Sequence, residues 1–337
     1  MRKGAFVCAL LIGVAACNPA PSGPKLRVHV PPGASFSQIA DTLDARGIIG
    51  NKTIFKIFAR VTNAQTRAQP GTYGFRKGEP WTRVLSDLRS GNFLKDKLVI
   101  PEGWSLDKIA ARMARFTEGD STVILNQLLD SAQVRRTSVP GPTLEGYLYP
   151  ATYEFAVDIP VDSMITRLVA RYRAVWTAPR RARADSLKMS ERAVVTLASI
   201  VEKEAKRRSE LPTIASVYHN RLRIGLPLQA DPTVQYALGS HRERLLYSDL
   251  RLVERNPYNT YRIRGLPPGP IGSPSDIAID AVLQPANTKY IYFVAQPDGS
   301  HVFTRTLDEH NRAKRAARAA WSAAQNAAGR PPATANN

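Results

Sequence analysis

Cysteine is almost absent from this sequence. The chain of 337 residues has two cysteines, Cys8 and Cys17, and both lie near the N-terminus. The rest of the chain therefore has no means of forming a disulfide or a thiolate metal site. We also find no HExxH zinc motif, P-loop, dinucleotide fingerprint or serine nucleophile elbow. These absences argue against the common cofactor and metal enzymes, and we expect neither a cofactor nor a metal.

A hydrophobic run long enough to span a membrane is also missing at the N-terminus. Residues 5–16 are apolar and follow Arg2 and Lys3. About twelve residues are too few for a spanning helix of about twenty, and they suit a signal peptide. The end of the run, Val-Ala-Ala-Cys17, resembles a bacterial lipobox, in which the cysteine becomes lipid-modified. Residues 1–17 are thus predicted to be a signal peptide with lipobox or a short anchor, and residues 18–25 a tether.

Acidic residues are scarce relative to basic ones. The chain has 28 aspartates and glutamates against 47 lysines and arginines, a formal net charge of +19. This balance indicates an anionic partner, which could be nucleic acid, a membrane surface or an acidic polymer. No zinc-finger or RNP motif is present, and the export signal disfavours a nucleic-acid binder. We therefore expect no nucleic-acid partner.

Two segments near the N-terminus resemble each other. Residues 28–43 and 98–113 each have a β-rich start, a Pro-x-Gly-x-Ser turn and a helix beginning with Ile-Ala. Ser35 and Ser105 are predicted to cap those helices. Chance similarity of two strand–turn–helix units is the alternative to a true repeat. The fold class is predicted as α+β: a small α+β module, then a mainly helical domain with a short β-hairpin around residues 296–300 and a basic Ala/Arg-rich tail.

The segment Ser199-Ile-Val-Glu-Lys-Glu-Ala-Lys206 carries two glutamates where an apolar helix stripe ends. At about 100° per residue, Glu204 continues the stripe of Leu197, Ile200 and Val201, whereas Glu202 lies about 200° away. A carboxyl in apolar surroundings has a raised pKa, as a general acid near neutral pH requires. Glu204 is the predicted catalytic residue. The alternative is a surface glutamate pairing with a neighbouring cation.

Two loops downstream supply candidates for substrate binding. They are rich in glycine, proline and aromatic residues, and loops of this kind carry function on helical scaffolds. Aromatic rings suit the faces of sugars, and amides suit their hydroxyls. Asp231 is predicted to be a helix cap or else a second carboxylate, Glu145 is another candidate carboxylate, and His219 is expected to be structural. The full set of binding candidates is Glu145, Gln229, Asp231, Tyr258, Asn259 and Tyr261.

Several motifs together resemble the YceG-like (MltG) family of endolytic murein transglycosylases. They cover roughly residues 70–311 and include IPEGWSL, LEGYLYPATY, LASIVEKEA, LPLQADPTVQYALG and YNTYRIRGLPPGPIGSPS. The resemblance implies a LysM-like module at 26–113, a YceG-like catalytic domain at 114–311 and a tail at 312–337. It also implies cleavage between N-acetylmuramic acid and N-acetylglucosamine inside peptidoglycan strands, which leaves 1,6-anhydro ends. The family's catalytic glutamate falls on Glu204.

The chain departs from the family pattern at two places. Ala205 replaces the hydroxyl residue that usually follows the motif, and the lipobox stands where the family usually has a spanning helix. The resemblance further implies an extracytoplasmic, membrane-anchored location, a role in ending nascent strands, and wall-synthesis enzymes as partners. Two alternatives stay open: a peptidoglycan hydrolase that uses Asp231 or Glu145 as base, and a non-catalytic wall-binding protein.

Overall fold

The computed structural model describes residues 21–63, 68–240, 242 and 245–328. The predicted signal peptide or anchor, with Cys17, lies outside the described residues. No helix in the described part of the chain is both long and apolar enough to cross a membrane. The predicted tether is shorter than expected, because its last four residues belong to the first strand, Ser22–Val30.

The described residues form helices and three two-stranded sheets, so the fold is α+β. The strands are β1 Ser22–Val30, β2 Gly71–Lys77, β3 Lys95–Ile100, β4 Ala151–Ala156, β5 Tyr292–Ala295 and β6 His301–Thr304. The sheets pair β1 with β2, β3 with β4 and β5 with β6. The helices of the first half are α1 Phe36–Ala45, α2 Lys52–Val61, α3 Trp81–Ser90, α4 Leu106–Thr117, α5 Ser121–Leu129, α6 Ser131–Thr137 and α7 Val161–Val175. Those of the second half are α8 Ala178–Ser186, α9 Glu191–Glu204, α10 Leu211–Arg223, α11 Asp231–Leu238, α12 Tyr247–Leu252, α13 Asp276–Leu283 and α14 Leu307–Ala328.

The chain forms two compact units. Unit 1 contains the described residues up to Leu98 together with Tyr153–Pro160, and unit 2 contains Val99–Thr152 and the described residues from Val161 onward. This division differs from the predicted boundary at residue 113. The reason is that α4, although its sequence resembles that of α1, packs against α5 and belongs to unit 2.

Unit 1 is built on the antiparallel pair β1 and β2, in which Val28 lies opposite Tyr73. The predicted cap of α1 is confirmed: Ser35 accepts from the backbone N–H of Gln38, and the Gln38 side chain accepts from the Ser35 N–H. Alternate residues of β1 and one face of each helix supply the core, as the patterns of strand and helix require. Its fully buried members include Val28, Leu43, Phe55, Tyr73, Phe75 and Val84.

Unit 2 is centred on α9. Eight consecutive residues of this helix, from Val194 to Val201, are buried, as expected for a helix packed on all sides. Helices α10, α11 and α13 all contact it. The helix begins where predicted, because the Ser190 side chain accepts from the Ala193 N–H.

The predicted hairpin and C-terminal helix are present in unit 2. Strands β5 and β6 pair with Tyr292 opposite Thr304. A half-buried carboxylate fixes this hairpin, since Glu210 accepts from the His301 N–H at 3.0 Å and lies 2.7 Å from its ring nitrogen Nδ1. Helix α14 is continuous across residue 312, so the predicted start of a separate tail falls inside a helix.

Candidate active site

Glu204 is the last residue of α9, at the point where the helix gives way to extended chain. Ala205 has extended backbone angles, φ −78° and ψ 121°, so the helix cannot continue. The apolar stripe that leads to Glu204 is fully buried at Leu197, Ile200 and Val201. The carboxyl of Glu204 therefore lies at the edge of the core, which is the position that the apolar stripe predicted.

A tyrosine on the neighbouring helix α10 holds this carboxyl. The Tyr218 hydroxyl donates to Glu204 Oε1 at 3.0 Å, and Tyr218 itself is only 1% exposed. The ring of Phe293, in the hairpin, packs edge-on against Tyr218 with centroids 5.9 Å apart. One carboxyl oxygen is thus fixed, and the other, Oε2, remains for chemistry.

The surroundings of Glu204 favour its protonated form. Burial and, after it, the negative charge of Asp231 together raise the pKa of Glu204 to about 8, against the Tyr218 hydrogen bond and the Arg221 charge, which lower it. A carboxyl with this pKa holds a proton at neutral pH and can give it away, which is the requirement for a general acid.

Asp231 faces Glu204 from the first turn of α11, and it does not cap the helix as predicted. Ala230 occupies the N-cap position, and Asp231 makes no capping hydrogen bond. Its Oδ1 instead accepts from the Tyr261 hydroxyl at 2.5 Å. The site therefore contains two carboxyls in different states of burial, because Asp231 is exposed and Glu204 is half-buried.

The loop before Asp231 is held by a buried arginine. Arg221 is 7% exposed, and its guanidinium donates to the carbonyls of Leu228 at 2.5 Å and Ile291 at 2.8 Å. It also donates to Gln229 Oε1 at 3.2 Å. Gln229 has φ 50°, a left-handed backbone that is uncommon for residues other than glycine and that often marks functional sites.

Glu202 has a different role from Glu204, as its position on the opposite helix face predicted. Its carboxylate accepts from the N–H and the hydroxyl of Ser275, at 3.0 and 2.5 Å. One turn earlier, the Ser199 hydroxyl accepts from the Ile271 N–H at 3.0 Å. These bonds attach α9 to the loop at 271–275. The same loop pairs with the chain before α4, since the Gly103 N–H donates to the Ser273 carbonyl at 2.7 Å.

Glu145 lies in a second cluster of unit 2. Its Oε2 accepts from the Leu106 N–H at 3.1 Å and from the Tyr236 hydroxyl at 3.2 Å. Glu145 therefore caps α4 in place of Ser105, whose hydroxyl bonds to Asp107 instead. Its other oxygen, Oε1, is buried and has no hydrogen-bond partner among the described residues. Burial raises the pKa of Glu145 to about 7, although its two hydrogen bonds and the charge of Lys203 oppose this shift.

The remaining predicted binding residues are divided between the two clusters and the core. Tyr261 joins Asp231 beside Glu204. Tyr258 packs against Tyr236 in the second cluster, with ring centroids 4.9 Å apart. Asn259 is fully buried, and its amide donates to the carbonyls of Leu250 and Val253, both at 3.2 Å, so it supports the loop and is not available to a sugar.

Three residues of these clusters were not predicted from the sequence. Tyr218, Arg221 and Tyr236 lie on helices, where a polar residue of a buried helix cannot be distinguished from a surface residue by spacing alone. The one available signal was the segment VYHNRL, whose Tyr218 and Arg221 are three residues apart and share a helix face. His219 bonds the Val282 carbonyl at 2.8 Å, a structural contact. In the described part of the chain, no group of three or more His, Cys, Asp or Glu is arranged to hold a metal ion.

We predict that Glu145 makes the stability of the protein depend on pH. Its folded pKa of about 7 exceeds the ordinary glutamate value of 4.5, so its contribution is fully present below pH 4.5 and is lost as the pH rises through about 7. The free energy of unfolding should fall by on the order of 2–3 kcal/mol from this group across that window. Urea unfolding at pH 5 and pH 8 should therefore show a smaller fall in Glu145→Gln than in the parent.

Glu254→Gln is the matched control for this measurement. Glu254 is a surface carboxyl whose partner is Arg262, at 2.9 Å, and its replacement should leave the pH dependence as in the parent. Equal falls in Glu145→Gln and in the parent would contradict the assignment of a raised pKa to Glu145.

Comparisons with known proteins agree with the motifs and with the fold. The YceG-like family matches residues 28–316. The chain is 33% identical to the endolytic murein transglycosylase of Bacillus subtilis (strain 168), over 91% of this chain and 89% of that protein. It is 28% identical to the endolytic murein transglycosylase of Streptococcus pneumoniae serotype 2, over 85% of this chain but only 57% of that protein.

A solved structure shares the fold. The crystal structure of a YceG-like protein from Listeria monocytogenes superimposes with a TM-score of 0.60 and 35% sequence identity, covering 86% of this chain and 99% of that one. The family match extends over most of the chain and includes every residue of the Glu204 site. The chain therefore belongs to the YceG-like family.

Proposed function

We propose that this protein is an endolytic murein transglycosylase that cleaves glycan strands of peptidoglycan, with Glu204 as acid and then base. The observation that carries this proposal is the geometry of Glu204: a half-buried carboxyl at the end of α9, with one oxygen held by Tyr218 and a pKa raised to about 8. The similarity to relatives named endolytic murein transglycosylases supports the substrate and the reaction class.

The reaction needs a single carboxyl that first donates a proton and then accepts a different one. Protonated Glu204 donates its proton to the glycosidic oxygen as the bond from that oxygen to the anomeric carbon breaks, through an oxocarbenium-like state. The carboxylate then accepts the proton of the muramoyl 6-hydroxyl as that oxygen bonds to the anomeric carbon. The products are a 1,6-anhydro end and a free 4-hydroxyl end, and no water is consumed.

Asp231 has an electrostatic role in this proposal. Its negative charge raises the pKa of Glu204 and so keeps the acid protonated before cleavage. An ionised Asp231 would also favour the positive charge that develops on the sugar ring. The Tyr261 hydroxyl, 2.5 Å from Asp231 Oδ1, fixes the direction of this carboxylate.

A hydrolase is the second candidate function, and the position of Asp231 is the observation that favours it. Asp231 is solvent-exposed and acts electrostatically on Glu204, so it could activate a water on the other side of the sugar, as the base of an inverting enzyme does. The mass of the product distinguishes the two reactions, because hydrolysis adds one water to the fragments and anhydro formation adds none.

The envelope location and the binding residues belong to the same proposal. The N-terminal sequence, with its lipobox-like Cys17, supports attachment to a membrane and a catalytic unit outside the cytoplasm. Gln229, which is bonded to Arg221, and Tyr261, which is bonded to Asp231, are proposed to contact the sugar at the cleavage point. Tyr258 is proposed to contact the strand farther along, whereas Glu145 acts on the fold. The LysM-like role of unit 1 and the partnership with wall-synthesis enzymes rest on family resemblance.

We predict that Glu204→Gln abolishes cleavage and that Glu202→Gln does not. The first change removes the transferable proton and adds almost no volume. General acid catalysis typically contributes a factor of about 10²–10⁴ to the rate. The second keeps an acceptor oxygen for Ser275 and stays outside the Glu204 cluster. Mass spectrometry of purified peptidoglycan digested by each variant should show anhydro-ended fragments from the parent and Glu202→Gln only.

The product masses also test the alternatives. Hydrated ends from the parent would replace the transglycosylase by a hydrolase that uses Asp231. Cleavage by Glu204→Gln at the parental rate would remove Glu204 from the mechanism. Circular dichroism of both variants shows whether loss of activity comes from loss of fold.

We predict opposite shifts of the pH–rate profile in two further variants. The charge of Asp231 raises the pKa of Glu204, and the Tyr218 hydrogen bond lowers it. The alkaline limb of kcat/KM reports deprotonation of the acid in the free enzyme. This limb should therefore move to lower pH in Asp231→Asn and to higher pH in Tyr218→Phe. Shifts in the same direction, or none, would contradict the electrostatic account of the site.

A further inference from the structure

Helix α2 of unit 1 exposes an apolar stripe. On a helix, Ile54, Ile57 and Val61 fall on one side because their spacings of three and four residues return to the same face. Their exposed fractions are 43, 58 and 62%. The other side of the helix packs into the core through Phe55 and Ala59, which are fully buried. Three neighbouring aliphatic side chains left in solvent on one helix face indicate a surface that is covered by something else.

A row of basic residues runs along one side of this stripe. Lys52, Lys56 and Arg60 follow one another at spacings of four along α2, and Arg60 is the nearest to the stripe, about 60° around the helix from Ile57. The helix contains no acidic residue. Among the described residues, Asp41 pairs with this row, 3.1 Å from Lys52 and 3.7 Å from Lys56. Three cations with one carboxylate leave the row positive. An aliphatic face bordered by lysine and arginine is typical of helices that lie in the interface of an anionic bilayer.

Backbone contacts link the start of β1 to the segment before α2. Ser22, at the beginning of β1, is paired with Lys77 of β2. The next residue, Gly78, donates its N–H to the Gly47 carbonyl at 3.4 Å. Gly47 precedes Asn51, the N-cap of α2, by four residues. A short chain of contacts therefore connects the point where the N-terminal segment enters the unit with the beginning of the helix.

The predicted attachment point is close in sequence. Cys17 precedes Ser22 by five residues, and five residues reach at most about 17 Å when extended. Helix α2, with ten residues, is about 15 Å long. A lipid on Cys17, or an anchor that ends there, would thus bring α2 within reach of the lipid headgroups.

We propose that unit 1 rests on an anionic membrane surface through Ile54, Ile57 and Val61 of α2. The apolar side chains enter the boundary between headgroups and acyl chains, and the basic row contacts lipid phosphates. This proposal rests on the membrane attachment included in the proposed function. It adds a second contact to the N-terminal one, and a membrane association with two signals is far stronger than one with a single lipid chain.

The test uses the full chain in vesicles of phosphatidylcholine and phosphatidylglycerol. A fluorophore sensitive to its environment is attached at Ile57→Cys, and at Val123→Cys as a matched control, since Val123 is a 64% exposed aliphatic residue of α5 in unit 2. The unsubstituted chain gives the background from its native cysteines. Nitroxide lipids with the quencher just below the headgroups are then added. We expect at least a twofold loss of fluorescence at residue 57 and no more than background loss at residue 123.

Three results would overturn the proposal. Quenching at residue 57 no greater than background, in protein that floats with the vesicles, would show that attachment holds but α2 does not touch lipid. A blue shift at residue 57 without quenching would show that a protein surface, such as a second copy of the chain, covers the stripe. Failure of the protein to float would remove the attachment itself. Digestion of peptidoglycan by the same labelled protein reports separately whether the proposed enzymatic activity holds.

Discussion

The site depends on one interaction: the hydrogen bond from the buried Tyr218 hydroxyl to Glu204 at the end of α9. A carboxyl placed against a core would ordinarily be expelled or lose its charge, because burial disfavours the ionised form. Here the protonated form remains, and the hydroxyl fixes which oxygen is engaged. The hydrogen bond requires Tyr218 to be immobile, and Phe293 of the hairpin keeps it so by packing against its ring. The hairpin, which lies far from α9 in sequence, thereby belongs to the support of the site.

Two further side chains hold the end of α9 on the side opposite Glu204. Glu202 binds Ser275 on the face opposite Glu204, and Ser199 binds the backbone of the same loop. A loop rich in glycine and proline can approach this closely only where side chains are absent. A Cβ at Gly272 would lie 2.6 Å from the Gly103 carbonyl oxygen, a distance that real Cβ atoms do not reach. The two glutamates of the motif thus differ in role, since Glu202 attaches the helix to the loop and Glu204 is the proposed proton donor.

Local signals in the sequence predicted much of this arrangement. The cap at Ser35, the turn at 296–300 and the opposite faces of Glu202 and Glu204 follow from residue type and spacing, and the structure has them all. What could not be predicted depends on contacts between distant segments. Asp231 precedes a proline at the start of a helix, as a cap residue often does, yet its carboxylate accepts a hydrogen bond from Tyr261, thirty residues later. Asn259 has the character of an exposed polar residue, yet it is fully buried. Spacing along one chain segment holds no information about either partner.

The protonation state of Glu204 tests the account most directly. Infrared difference spectra between the parent and Glu204→Gln isolate the carbonyl band of this one protonated carboxyl. The account predicts that the band persists through neutral pH and disappears with a midpoint near the pKa of about 8 that burial and Asp231 impose. A band that is already lost near pH 4.5, the ordinary value for a glutamate, would show an ordinary ionised glutamate and would contradict the assignment of Glu204 as the proton donor.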